Sequence, residues 1–213
     1  MDRASEIADL GKRAREAFEE KHHAREITIA ASRHAIQACA ASIRATHRGE
    51  FESARTLAVE ARDHLREADA ALVGHPDVRT NGPLYDAKKE LAEARLTLAL
   101  VRNEPLPTPD ELGIEIAAYC NGLAEAASEL RRQLLDRLRH GELSRAEELM
   151  SSMDEIYSLL VTIDYPDGVT GGLRRTTDGL RAVLERTRGD LTTSMVAARL
   201  QAAIESARDV SGA

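Results

Sequence analysis

Tryptophan is absent from this 213-residue chain, and only two Phe and four Tyr are present. A core short of large rings has to be built from Leu, Ile, Val and Ala, which favours close-packed helices over a β-sandwich. Cysteine is scarce too, with Cys39 and Cys120 both in apolar helical stretches, where a free thiol behaves as a small hydrophobe. Two such thiols exclude a disulfide scaffold and make the cytoplasm the expected location. The longest uncharged run, His34 to Ile43, is about ten residues, roughly half of a membrane span. The opening Met1-Asp2-Arg3-Ala4-Ser5-Glu6 is polar and acidic where a secretory signal would turn apolar.

What the chain does have is alanine and charge at helical spacing. Its length can bury a sizeable core as one all-α domain over 1–213. The formal charge of -7 gives no general reason to expect a nucleic-acid binder. Local sign decides binding, however, and residues 1–48 hold nine Lys/Arg against seven Asp/Glu, plus four His.

Breakers divide the sequence into about seven helical pieces. The first runs from near Ser5 to His47. It carries Ile7, Leu10, Ala14, Phe18, Ile29, Ile36, Cys39 and Ile43 near one face, with Ser32 as that face's small polar member. Arg48-Gly49-Glu50 ends it, and a second helix covers roughly Phe51 to Leu72. Gly74-His75-Pro76 and Asn81-Gly82-Pro83 bracket a polar loop. The third helix, about Leu84 to Arg102, places Leu84, Ala87, Leu91, Ala94, Leu98 and Val101 at heptad a/d spacing. Thr108-Pro109-Asp110-Glu111 reads as N-cap, N1 proline and acidic first turn of a long fourth helix to Arg139, with an apolar stripe Leu112/Ile116/Leu123/Leu130. His140-Gly141 stops it, and Ser144-Arg145-Ala146-Glu147 predicts a capping box for the fifth. After a turn at Tyr165-Pro166-Asp167-Gly168, a sixth helix reaches Arg188-Gly189 and a seventh runs from Asp190 to about Arg208.

The acidic residues placed against helical charge balance carry the chemistry. Asp86, Glu90 and Glu93 project within about 60° of one another, taking 100° per residue, and away from the leucine stripe. Glu125 and Glu129 share a face one turn apart, where like charges cost about 0.2 to 0.5 kcal/mol. Gly122 lies one turn before Glu125 and costs about 1 kcal/mol relative to Ala inside a helix, a cost that close approach of a second helix would justify. If the two faces converge, they make an oxygen-ligand cluster suited to Mg²⁺ or Mn²⁺, which activates water against a phosphodiester. Two solvated faces would give the same pattern, since Lys89 lies within reach of Asp86 and Glu93 along the helix.

Gly122-Leu-Ala-Glu125-Ala-Ala-Ser-Glu129-Leu-Arg131 resembles the central helix of the translin family. Met153-Asp-Glu-Ile-Tyr157-Ser-Leu-Leu160 and Gly172-Leu-Arg-Arg175-Thr-Thr-Asp178-Gly-Leu180 are similar to its next two helices. Ala30-Ala-Ser32-Arg33 and His47-Arg-Gly-Glu-Phe51 resemble its first helix and turn. The similarity is collinear over most of the chain. Glu90-Leu-Ala-Glu93-Ala94 matches the acid pair of the catalytic branch, translin-associated factor X. Glu125 falls where that branch has Asp, one methylene shorter, and Glu129 matches a Glu shared by both branches. The resemblance implies a Mg²⁺-dependent endoribonuclease for single-stranded RNA, built as a hollow homo-octamer of seven-helix subunits. Glu90, Glu93 and Glu125 would hold the metal, with Glu129 completing the catalytic set. A non-catalytic shell binding single-stranded nucleic acid is the alternative.

In such a shell the flank Arg15, His22, Arg33 and Arg44, with Lys12 and Arg48 beside it, would contact phosphates in a salt-sensitive way. Glu19 and Glu26 interrupt that flank, so an ordinary solvated face fits it as well. Arg131, Arg132, Arg137 and Arg139 form a second basic cluster that also reads as surface. A di-iron bundle needs Glu-x-x-His on two helices, and the only such spacings, Glu19/His22 and Glu20/His23, lie in one. The remaining histidines read as surface residues and both cysteines as inert thiols. No Walker-type phosphate loop is present.

Overall fold

The structure is a computed structural model and describes residues 2–78 and 82–211; Met1 and Asn81 lie outside them. Eight helices follow one another among the described residues: α1 (Arg3–His47), α2 (Phe51–Ala71), α3 (Pro83–Arg102), α4 (Pro109–Leu112), α5 (Ile116–Arg139), α6 (Leu143–Leu160), α7 (Asp167–Thr170) and α8 (Leu173–Ser211). Among the described residues there is no strand, and no helix is long and apolar enough to cross a membrane. The all-α expectation holds, but the helices are six long ones and two single turns rather than seven.

Two glycines with opposite fates split one expected helix and fuse two others, and the single turn α7 makes the eighth. The expected fourth helix starts as predicted: Thr108 Oγ1 accepts from the Glu111 amide at 3.2 Å, and Glu111 accepts from the Thr108 amide at 2.7 Å. It stops after four residues because Gly113 takes φ 70°, which turns Leu112 and Ile114 into the core. The chain restarts as α5 at Ile116, which is therefore exposed rather than part of a continuous stripe. Gly189, by contrast, does not break α8. Arg188 donates to Asp154 of α6 at 2.6 Å, and Arg131 of α5 pairs with Asp190 at 2.7 Å, so tertiary contacts on either side hold the helix through the glycine. The expected sixth and seventh helices are thus one, 39 residues long. Tyr165-Pro166-Asp167-Gly168 leads into the single turn α7.

Helix ends elsewhere follow the sequence. Gly49 at φ 76° closes α1, with the Glu50 amide donating to Ala45 O at 2.9 Å and the Gly49 amide to Thr46 O at 3.0 Å. Gly141 closes α5 in the same way. That closure uses Glu142, whose carboxylate takes Arg137 at 2.9 Å, so α6 starts at Leu143 and the capping box expected at Ser144 does not form.

α5 is the central element, packed against α3, α6 and α8, while α1 packs on α2 and α3. Leu91, Leu96, Leu130, Leu134, Met153 and Leu180 are among the largest fully buried side chains of the core. The a/d series of α3 is buried from Leu84 to Leu98. On α1 the buried face is made of small residues, Thr28, Ala31, Ser32, Ala35, Ala38 and Ser42, and begins only at Ala24. The apolar stripe expected along the whole helix is therefore split. Ile29, Ile36 and Ile43 are half-buried, while Ile7, Leu10 and Phe18 are 62%, 68% and 70% exposed on an overhang.

Buried Asn121 ties α5 to its surroundings. Its two amide hydrogens are shared among Tyr85 Oη at 3.0 Å, Ala117 O at 2.9 Å and Thr170 O at 2.8 Å, and its carbonyl accepts from Thr176 at 2.6 Å. Replacing Asn121 with Ala takes the side-chain donor from the Thr170 carbonyl and leaves the Thr176 hydroxyl only the 3.5 Å bond to Gly172 O, and should cost about 1 to 3 kcal/mol. Thermal denaturation would show it as a Tm lower by several degrees; an unchanged Tm would contradict the role given to this network.

Candidate metal centre

The site begins with a missing side chain. A Cβ built on Gly122 would lie 2.5 Å from Ala92 Cβ, 2.6 Å from Lys89 O and 2.9 Å from the Glu93 amide. Only glycine lets the α5 backbone rest on α3 at this level, and the acids on the two helices meet as a result. One carboxylate oxygen each from Glu90, Glu93 and Glu125 lies within 4.8 Å of the others. Lys89 closes the cluster from the side by donating to Glu125 Oε1 at 2.9 Å. Asp86, expected on the same face, stays exposed.

Burial and crowding decide the charge state. Glu93 is 9% exposed, and its carboxyl is pushed up to about 9 by burial first, then by Glu90, Glu125 and Glu129 and by its hydrogen bond with Glu125. Glu90 is raised as well, by burial against the opposing pull of Lys89, with Glu125 adding to the rise. Burial lowers the Lys89 ammonium, but the bond to Glu125 and the surrounding acids outweigh it and leave the pKa raised. Near neutral pH the cluster therefore holds a proton on Glu93 and a cation on Lys89. These stand where a metal ion would supply the positive charge. The donor set is all carboxylate oxygen, which suits a hard divalent cation rather than a soft one.

Glu129 sits beside this trio and is held by a residue that the sequence reading placed on the surface. His47, with its side chain 2% exposed at the end of α1, meets Glu129 Oε2 through Nε2 at 2.5 Å. The Gln133 amide lies 3.2 Å from His47 Nδ1 and also donates to His47 O at 3.5 Å. An amide nitrogen can only donate, so Nδ1 accepts, and Nε2 carries the hydrogen given to Glu129. No local signal marks His47, because its partners lie on α5. Nearby Cys39 is buried, and burial, then Glu90 and Glu93, raises its thiol, in keeping with an inert role. Cys120 is raised by burial.

The basic flank of α1 is not gathered into the same place. Arg15, His22, Arg33 and Arg44 are all exposed. At 1.5 Å per residue, Arg15 and His22 lie about 48 and 38 Å along the helix from His47, whereas Arg44 is one turn away. Arg48 is engaged by Glu50 at 2.6 Å. In the second basic cluster, Arg131, Arg137 and Arg139 pair with Asp190, Glu142 and Asp136.

Comparison with known family profiles finds no match. An uncharacterized protein of Methanocaldococcus jannaschii is 30% identical over 179 residues, 81% of this chain and 77% of its own length. AfC3PO, solved in complex with duplex RNA, superposes with a TM-score of 0.80 at 30% identity, covering 87% of this chain and 96% of that one. The chain belongs to the translin family. Apo-NeC3PO is also similar, with a TM-score of 0.71 at 18% identity over 88% of this chain and 96% of its own, and shares the fold. In this translin-family chain the three carboxylates come from α3 and α5, the helices whose acids the sequence singled out.

The proton on Glu93 has a measurable consequence. The unfolded carboxyl ionises near its ordinary 4.5, while the folded one waits until about 9. Between those values the folded chain binds more protons, so stability falls as pH rises through this window. Glu93→Gln removes the dependence. Its Tm should exceed the parent's by several degrees at pH 8, with the gap closing towards pH 4.5; parallel Tm profiles would contradict the assignment.

For Gly122→Ala the gain in helix propensity is about 1 kcal/mol. The clash is with backbone atoms of α3, which cannot rotate away, and overpacking costs about 1 to 3 kcal/mol. Net destabilisation of up to about 2 kcal/mol is expected in chemical denaturation, and a stabilised variant would refute the close contact.

Proposed function

We propose that this protein is a metal-dependent endoribonuclease of the catalytic, translin-associated factor X branch of its family, acting on single-stranded RNA inside a homo-octameric shell. The observation that carries the reading is the convergence of Glu90, Glu93 and Glu125 into one half-buried, all-oxygen site beside Glu129. RNA as the ligand class is supported by AfC3PO, solved with duplex RNA.

Glu90, Glu93 and Glu125 would hold Mg²⁺, with Mn²⁺ as an alternative, Glu93 giving up its proton on loading. When bound, such an ion polarises a water and offsets charge developing on the phosphate. Glu129, fixed by the Nε2–H of His47, would orient an attacking water and take up its proton, as the fourth member of the catalytic set. Lys89, which donates to Glu125 in the structure, would remain a positive charge beside the bound phosphate. Arg44 and Arg33 line the approach along α1, with Arg15 and His22 further out as phosphate contacts.

Self-association is supported by apolar stripes without a partner in the chain. Ile7, Leu10 and Phe18 on the α1 overhang and Val196, Leu200 and Ile204 on α8 are all exposed, the latter three at i, i+4, i+8 spacing. We take 1–213 as one domain of a cytoplasmic assembly with no membrane partner. One observation favours the second reading, a non-catalytic shell for single-stranded nucleic acid: Lys89 already balances Glu125 without a metal.

The test is cleavage of end-labelled single-stranded RNA with Mg²⁺ and with EDTA, by the parent and by Glu125→Ala. The nuclease reading expects metal-dependent cutting that falls at least a hundredfold in the variant, with RNA retention and oligomer size unchanged. RNA retained by the parent without cutting would select the second reading.

A further inference from the structure

α3 presents acids to α5 and an arginine to the opposite side, since Arg95 is turned about 200° from Glu93 around the helix. On that side α2 contributes Arg55, Ala58, Val59 and Arg62 at one-turn spacings, and α3 contributes Leu91, Arg95 and Leu98. With the segment from Glu104 to Leu112 as a wall, they enclose a cavity of about 430 Å³, within the range of small-ligand sites.

The charges in this cavity do not balance. Three guanidinium groups face two carboxylates, and both carboxylates are already committed. Glu104 takes Arg55 at 2.7 and 2.9 Å and Arg102 at 2.5 Å. Glu111 takes the amide and hydroxyl of Thr108 at 2.7 and 3.1 Å. Arg62 Nε is buried with no acceptor, which is costly for a charged donor. Burial, then Arg55 and Arg62, lowers the pKa of Arg95, outweighing the opposing pull of Glu104 and Glu111. Two forked donors sharing one cavity match the oxygens of a phosphate, which can accept from both at once. The rest of the lining is aliphatic, with Ala58, Leu91 and Leu98 on one side and Pro105, Leu106 and Pro107 on the other, a slot for a flat apolar body.

We propose that this cavity binds a small phosphomonoester of the nucleoside monophosphate class, its phosphate held by Arg62 and Arg95 and its base between the aliphatic walls. The site is independent of the carboxylate cluster and of the reading given to it.

The experiment is isothermal titration of the full-length protein, in EDTA, with uridine 5′-monophosphate, uridine and inorganic phosphate. The monophosphate should bind, uridine should not, and inorganic phosphate should bind at least tenfold more weakly than the monophosphate. Arg62→Gln and Arg95→Gln should each weaken the monophosphate at least tenfold, with helicity by circular dichroism retained. Glu125→Ala should bind it as the parent does, whatever its effect on RNA cleavage. Absence of monophosphate binding, or binding unchanged in both arginine variants, would overturn the proposal. Phosphate binding as tightly as the monophosphate would overturn the part assigned to the aliphatic walls.

Discussion

The contact on which the candidate site depends is between two backbones. Gly122 puts α5 directly on the Lys89–Glu93 stretch of α3, closer than any side chain would permit. That approach removes water from Glu90 and Glu93, and the upward push on both carboxyls follows from the removal. It also aligns the turns next to it: Asn121 faces Tyr85, Thr170 and Thr176, and Glu125 faces Lys89. A glycine that weakens its own helix thus sets the distance between two others' worth of functional groups.

The carboxylates were legible in the sequence because they violate a local rule. Glu125 and Glu129 repel along one helix, as do Glu90 and its acidic neighbours, and nothing within the helix rewards that arrangement. His47 was not legible, because its reason for being buried is Glu129, 82 positions away. The arginine cavity was hidden for the same reason: nothing local marks Arg55 and Arg62 until α2 is laid against α3. Pairwise helix contacts are set by packing, and packing is not written into any single window.

The helix breaks teach the complementary lesson. Arg48-Gly49 and His140-Gly141 ended helices as their local chemistry required. Gly113 and Gly189 could not be told apart by local chemistry, since both follow ordinary helical residues. The first turns because Leu112 and Ile114 gain burial by it, and the second stays straight because Arg188 and Asp190 are anchored to α6 and α5. Small residues on α1 likewise mark its true core face better than the large apolar ones, which serve the overhang.

The ammonium of Lys89 and the shared proton of Glu93 have one more implication. A cluster that carries its own counter-charge has no need of an ion to reach the folded state, unlike metal sites whose ligands repel one another until they are filled. Folding of this chain then does not wait on an ion, because the cluster meets its partner helix with its own charges already offset.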